Sequence, residues 1–91
     1  MNKEDLVQIV AERTHEERKT AQAMVTALFD SIGEALERQE KVTIIGFGTF
    51  AVLERPERSG RNPRTGEPLT IEAKAIPTFT PGKALKDRVE E

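Results

Sequence analysis

Between Arg55 and Gly66 the chain reads Arg-Pro-Glu-Arg-Ser-Gly-Arg-Asn-Pro-Arg-Thr-Gly, placing arginines at 55, 58, 61 and 64 beside a single acid, Glu57. This stretch holds no large apolar side chain, so no hydrophobic core can hold it down. It must stand in water or lie on something negatively charged. Gly60-Arg61-Asn62-Pro63 reads as the head of a tight turn, since glycine, asparagine and proline each suit turn positions for a separate reason. The spacing therefore predicts a basic two-stranded arm with Pro63 at or beside its tip.

Reactive chemistry has little footing elsewhere. His15 is the only histidine, and it falls in a charged inter-helix turn, where a general base would lack a hydrogen-bonded partner. The acids lie mostly on helix exteriors, the ordinary place for a solvated face. No metal-ligand spacing is present. Gly46-Phe47-Gly48 is too short for a phosphate loop and lacks the following Lys-Ser/Thr, so it reads as a structural turn with a buried aromatic anchor. The expectation is a non-enzyme with no catalytic residue, cofactor, metal or small-molecule substrate.

The elements that must position the arm follow from periodicity. Asn2 can cap a first helix over about 3–13, with Asp5 three residues on as a partial capping box and Leu6, Ile9 and Val10 at helical spacing. The second helix, about 17–38, carries one apolar stripe of Ala21, Met24, Val25, Leu28, Ile32, Ala35 and Leu36, widened by Phe29. Its start lacks a good cap, because Glu17 substitutes poorly for serine or aspartate. Gly33 costs about 1 kcal/mol relative to alanine inside a helix, which predicts the close approach of another backbone. Lys41 to Ile45 is a β-branched run, and Thr49 to Leu53 is a second strand that continues into the arm. Leu69-Thr70-Ile71 returns from the tip. Ile76 to Phe79 re-enters the body, with Pro77 on a sheet edge or bulge because it has no N–H to donate. Pro81-Gly82 stops the strand, and Lys83 to Val89 forms a short helix with Ala84, Leu85 and Val89 on its apolar side.

This is an α+β pattern in one domain: residues 1–40 helical, 41–54 and 76–91 a three-stranded antiparallel sheet with a short C-terminal helix, and 55–75 the arm. At 91 residues, with 36% hydrophobic and 33% charged, the body left after the arm is roughly seventy residues, a thin basis for a lone core. An obligate dimer with a shared core is expected. The chain has no cysteine, hence no disulfide framework. Its charged N-terminus is unlike a signal peptide, and no apolar run nears the ~20 residues of a membrane span, so a soluble, cytoplasmic protein with no membrane partner is expected.

The net charge of −2 conceals a division. Residues 1–40 hold five basic and nine acidic groups, whereas residues 41–91 hold nine basic and seven acidic. Distribution rather than the sum decides where a polyanion can sit. A hairpin of about twenty residues is usually functional when it is not disordered, and an isolated two-stranded ribbon is marginal in water, so the arm should order on a ligand. From Arg55 to Pro63 it reaches roughly 25 Å at ~3.3 Å per residue, enough to follow a DNA groove. Arginines suit the narrow minor groove, and an apolar proline can wedge between base steps and kink the duplex.

Several motifs, in order, resemble the bacterial HU and integration-host-factor family of DNA-bending proteins. They are Gly46-Phe47-Gly48-Thr49-Phe50, then Arg58-x-Gly60-Arg61-Asn62-Pro63-x-Thr65-Gly66, then Pro77-x-Phe79 and Gly82-Lys83-Ala84-Leu85-Lys86-Asp87. The resemblance is closest to HU and covers nearly the whole chain. It implies a two-fold homodimer in which residues 1–40 form an intertwined dimerising body below a saddle of strands, with β-ribbon arms that embrace double-stranded DNA through the minor groove, bending and compacting it in the nucleoid. By matching position it implies Pro63 as the intercalating wedge with Asn62 beside it, Arg55, Arg58, Arg61 and Arg64 along the arm, Lys3, Lys83 and Lys86 as flank contacts on the body, and Phe47, Phe50 and Phe79 in an aromatic core. A heterodimer with a paralogue, a site-specific bender of the integration-host-factor kind, and a dimeric interaction module with weak DNA affinity are the alternatives. The chain departs from its relatives' usual basic character at Ala51, Glu67 and Glu72, where lysine is common. Each lost phosphate contact lowers affinity and flattens the log–log salt dependence by about 0.9.

Overall fold

A computed structural model describes residues 1–90. Helix α1 spans Lys3–Thr14. Its first turn is closed by a full capping box: the Asn2 side chain accepts from the Asp5 N–H at 3.0 Å, and the Asp5 carboxylate accepts from the Asn2 N–H at 2.9 Å. The helix ends at His15, whose φ of 55° is left-handed. The backbone N–H groups of His15 and Glu16 both donate to the Ala11 carbonyl, satisfying an orphan acceptor at the helix end. His15 is thus an exposed terminating residue.

Helix α2 spans Arg18–Glu37 and, as its sequence suggests, has no side-chain cap at Glu17. It packs Ala21 and Val25 against Val7 and Ala11 of α1 in a buried cluster, the one found among the described residues. Arg18 ties the two helices at the surface, reaching Glu4 at 2.7 Å and the Gln8 amide oxygen at 2.8 Å. The apolar stripe of α2 is only partly used. Ala21, Val25 and Ala35 are buried, whereas Leu28 is 56% and Phe29 47% exposed. Gly33 meets nothing within 4 Å of where a Cβ would stand. The close backbone approach expected there does not occur within this chain.

Strand β1 is Val42–Ile44, β2 Gly48–Arg55, β3 Arg58–Arg61, β4 Pro68–Ile71 and β5 Lys74–Pro81, followed by helix α3 over Lys83–Glu90. The strands form two antiparallel sheets, one of order β1-β2-β5 and one of β3 and β4 alone. β1 is shorter than the β-branched run suggests. Ile45 lies in the turn, 99% exposed, and the Phe47 N–H donates back to the Ile44 carbonyl at 3.0 Å. Gly46 takes a left-handed φ of 83°, the conformation that glycine adopts without steric cost.

Gly48 therefore belongs to β2 rather than to the turn, and a different constraint holds it. A Cβ there would stand 2.6 Å from two ring carbons of Phe79 and 2.6 Å from the Thr80 carbonyl oxygen. The Phe79 ring lies 4.7 Å from Phe50, its partner in the ladder, and 5.4 Å from Phe47. The aromatic group is real but not buried in one chain: Phe47 and Phe79 stay 43% and 39% exposed. The expectation of Phe47 as a buried anchor is corrected at this level. Pro77 sits on β5, an edge strand, where a missing N–H is tolerated. The Gly82 N–H donates to the Phe47 carbonyl at 2.8 Å and fixes α3 beside the β1–β2 turn.

The radius of gyration is 19.3 Å over extents of 62 × 32 × 26 Å, against about 12 Å for a compact chain of this length. Elongation follows from the second sheet, which extends beyond the body.

Candidate nucleic-acid interface

The body ladder of β2 and β5 runs outward from Gly48↔Pro81 to Arg55↔Lys74 and stops there. Pro56-Glu57 on one side and Glu72-Ala73 on the other are unpaired. Pairing resumes at Arg58↔Ile71 and continues through Ser59↔Thr70 and Gly60↔Leu69 to Arg61↔Pro68. The arm is therefore a separate two-stranded sheet, joined to the body through two unpaired segments. A proline within a paired strand removes a ladder donor, and Pro56 stands at the break.

Directly opposed residues share a face of an antiparallel pair. Arg58, Ile71, Gly60 and Leu69 thus lie on one side of the ribbon, and Ser59, Thr70, Arg61 and Pro68 on the other. On the first side the Leu69 and Ile71 methyl groups come within 3.4 Å of where a Gly60 Cβ would stand. The arm has an apolar patch after all, contributed by the returning strand and laid over a bare glycine. Gly60 and Arg61 are strand residues, not the head of the turn.

The turn begins one residue later. The Asn62 N–H donates to the Glu67 carbonyl at 2.9 Å, and the Gly66 N–H donates to the Asn62 carbonyl at 2.7 Å. Gly66 takes a φ of 72°. The Asn62 side-chain oxygen accepts from the Arg64 N–H at 2.9 Å, and the Thr65 hydroxyl accepts from the Glu67 N–H at 3.3 Å. These bonds lift Pro63 and Arg64 onto the exposed tip. Asn62 holds the turn through its side-chain oxygen, and its amide nitrogen makes no hydrogen bond among the described residues.

The arm arginines form no ion pair among the described residues. Among the described residues the ion pairs are Arg18–Glu4, Arg38–Glu40 and Lys83–Asp87, none of which involves residues 55–74. Arg61 alone is engaged, donating to the Gly66 carbonyl at 3.2 Å, and its guanidinium retains further donors. Across residues 55–74 there are five cations and three carboxylates. The ribbon does not fold back to be neutralised by the acidic helices.

The sequence candidates fall into separate groups. Arg55, Arg58, Arg61, Asn62, Pro63 and Arg64 are brought onto the arm and its root. Lys3 opens α1, and Lys83 and Lys86 lie on α3. Lys83 pairs with Asp87 at 2.8 Å on an exposed surface, so a bound anion would have to compete for it. Lys74 lies outside every sequence motif of the arm. Counting the ladder outward from the Phe50↔Phe79 pair places it opposite Arg55, a signal available once those two aromatics are paired. Among the described residues no helix is long and apolar enough to cross a membrane.

Comparison with known proteins agrees with this geometry. The family model described as bacterial DNA-binding protein matches residues 1–90. The DNA-binding protein HU of Geobacillus stearothermophilus is 53% identical over 90 residues, spanning 99% of this chain and 100% of that protein. HU 1 of Bacillus subtilis (strain 168) is 49% identical over 89 residues, 98% of this chain and 97% of its own. Among solved structures, an Anabaena HU–DNA cocrystal structure superposes with a TM-score of 0.83 at 44% identity, covering 98% of this chain and 97% of that one. HU from Thermotoga maritima gives 0.70 at 32% identity, covering 98% of each chain.

Proposed function

Because the chain belongs to the bacterial DNA-binding protein family that includes HU, we propose that it is a homodimeric architectural protein that grips duplex DNA with two arms and bends it, largely without sequence preference. The observation that carries this reading is the exposed ribbon whose four arginines form no ion pair among the described residues. Phosphate neutralisation by such groups releases counterions and supplies sequence-independent affinity. The arginines would track the minor groove, with Arg55 and Arg58 near the root and Arg61 and Arg64 near the tip.

Pro63 is the wedge. It is exposed at the turned end of the ribbon, where the Asn62 and Thr65 hydrogen bonds fix the backbone around it. Inserting it between base steps costs unstacking energy, and a bend of this kind costs of order 1–6 kcal/mol, offset by extra contacts along the flanks. Lys3, Lys83 and Lys86 would make those flank contacts on the body. The arm offers no set of side chains arranged to read base edges, so preference would follow DNA deformability and favour nicked or pre-bent sites.

A second copy of the chain is the natural cover for the apolar surface that one copy leaves open. Met24, Leu28 and Phe29 of α2 and the Phe47–Phe79 pair are too exposed for a stable lone subunit, and large contiguous apolar patches mark interaction sites. Two-fold pairing would also supply the backbone missing opposite Gly33. Such a dimer would carry two arms and reside on the nucleoid.

Fluorescence anisotropy with linear and nicked duplexes across a salt series tests the reading. Binding to both is expected, tighter to the nicked duplex, with log affinity falling linearly as log salt rises. Failure to bind either duplex at low salt, or binding indifferent to salt, would overturn it.

A further inference from the structure

The last ladder pair before the hinge sets two cations face to face. Arg55 and Lys74 are direct cross-strand partners, and like charges so placed destabilise a sheet. The ladder ends at that pair, and Arg58 begins the next sheet just beyond it. All three cations line one concavity at the arm root, together with Ile71 and Ile76 and one carboxylate, Glu72. Glu72 forms no ion pair with any of them among the described residues. The lining of this concavity thus combines an apolar wall with three cations against one carboxylate, Glu54 and Glu57 lying outside it, and strand pairing is interrupted on either side.

We propose that this root is an anion-stapled hinge: one phosphate group seated among Arg55, Arg58 and Lys74 relieves their repulsion and locks the arm to the body. Lys74 is the new member of the site, and its role is to make the free arm's attachment weak and its bound attachment firm. Without an anion, the repulsion favours opening of the Arg55↔Lys74 pair, and the unpaired Pro56-Glu57 and Glu72-Ala73 segments let the ribbon swing. With a phosphate in place, the three cations are bridged across the break and the two sheets become one stiff strut. The apolar wall of Ile71 and Ile76 suits the sugar edge that accompanies a backbone phosphate in DNA. The physiological phosphate source rests on the DNA-binding reading above, but the hinge itself responds to any phosphate group.

Amide hydrogen exchange of the full-length protein tests this without DNA. Rates at residues 53–58 and 71–76 are compared in inorganic phosphate and in sodium chloride at equal ionic strength. Phosphate should slow exchange by about two- to fivefold, the size expected from relieving one opposed like-charge pair, whereas chloride should not. Lys74→Glu places opposite charges across the hinge, so it should slow exchange to the same degree without phosphate and abolish the response. Lys74→Gln should weaken the phosphate response while leaving the helices' exchange unchanged. Equal rates in phosphate and chloride for the unmodified protein, or a Lys74→Glu variant as fast as the parent without phosphate, would overturn the proposal. A further arm with a saturating linear duplex separates sources: protection matching that in phosphate supports a DNA phosphate as the staple, while protection by phosphate but none by bound duplex would overturn that assignment. Neither hinge result bears on whether the protein binds DNA, which the anisotropy series decides.

Discussion

Replacing Gly48 with alanine should be the most damaging single-methyl change in the body sheet. The added carbon would stand 2.6 Å from Phe79 Cε1 and Cζ and 2.6 Å from the Thr80 oxygen, roughly 1 Å inside the ~3.5 Å optimum between carbon atoms. Neither neighbour can yield easily. The Phe79 ring is set between Phe50 at 4.7 Å and Phe47 at 5.4 Å, and Thr80 is held by its ladder pairing with Thr49. Overpacking of this kind costs about 1–3 kcal/mol, and displacing the ring puts at risk aromatic pairing worth about 0.5–1.5 kcal/mol. For a chain of this size the midpoint should fall by about 5–20 °C. Thermal unfolding followed by circular dichroism, at one fixed protein concentration because association shifts the midpoint, measures it. Gly46 is the control. It has open space around it but a φ of 83°, so Gly46→Asn should be milder than Gly46→Ala, since asparagine tolerates the left-handed region. No such relief should follow at position 48. A Gly48→Ala midpoint within about 2 °C of the parent would refute the steric argument.

Asn2→Ala removes one half of the α1 capping box and should cost about 1 kcal/mol; a double-mutant cycle with Asp5→Ala should be non-additive in denaturant melts, because the two bonds are reciprocal. Arg18→Ala, despite contacts at 2.7 and 2.8 Å, should change stability by less than about 1 kcal/mol, since both charged partners are about half exposed and solvent screens the pair. Asn62→Ala deletes the acceptor for the Arg64 N–H and should speed exchange of that amide by about two- to tenfold, read by nuclear magnetic resonance, with the body unaffected.

Local signals were legible where a side chain acts on its own backbone. The Asn2–Asp5 box, the uncapped start at Glu17, the stop at Pro81-Gly82 and the edge position of Pro77 all follow from residue type. Misplacements arose where a distant strand decides. Gly60 looked like turn punctuation because Leu69 and Ile71, which cover it, lie nine and more residues away in sequence. Gly48 reads as the second glycine of a turn, and only the facing β5 residues Phe79 and Thr80 explain it. The aromatic cluster and the α2 stripe were recognised as apolar faces, but periodicity cannot tell which part of such a face one chain covers. Hence Val25 is buried while Leu28, one turn on, is exposed. The break between the sheets depends on where the register ends, which becomes visible only when β2 is paired with β5.

In the proposed function an exposed proline at the end of a cationic ribbon acts as a mechanical wedge. The most direct measurement is fluorescence energy transfer between dyes on the two ends of a short duplex, at saturating protein, for the parent and for Pro63→Ala. The parent should draw the ends together, and the variant should lose most of this bend while its affinity and salt slope change far less. An unbent duplex with the parent protein, an unchanged bend with the variant, or losses of bend and affinity in equal measure would contradict the wedge role.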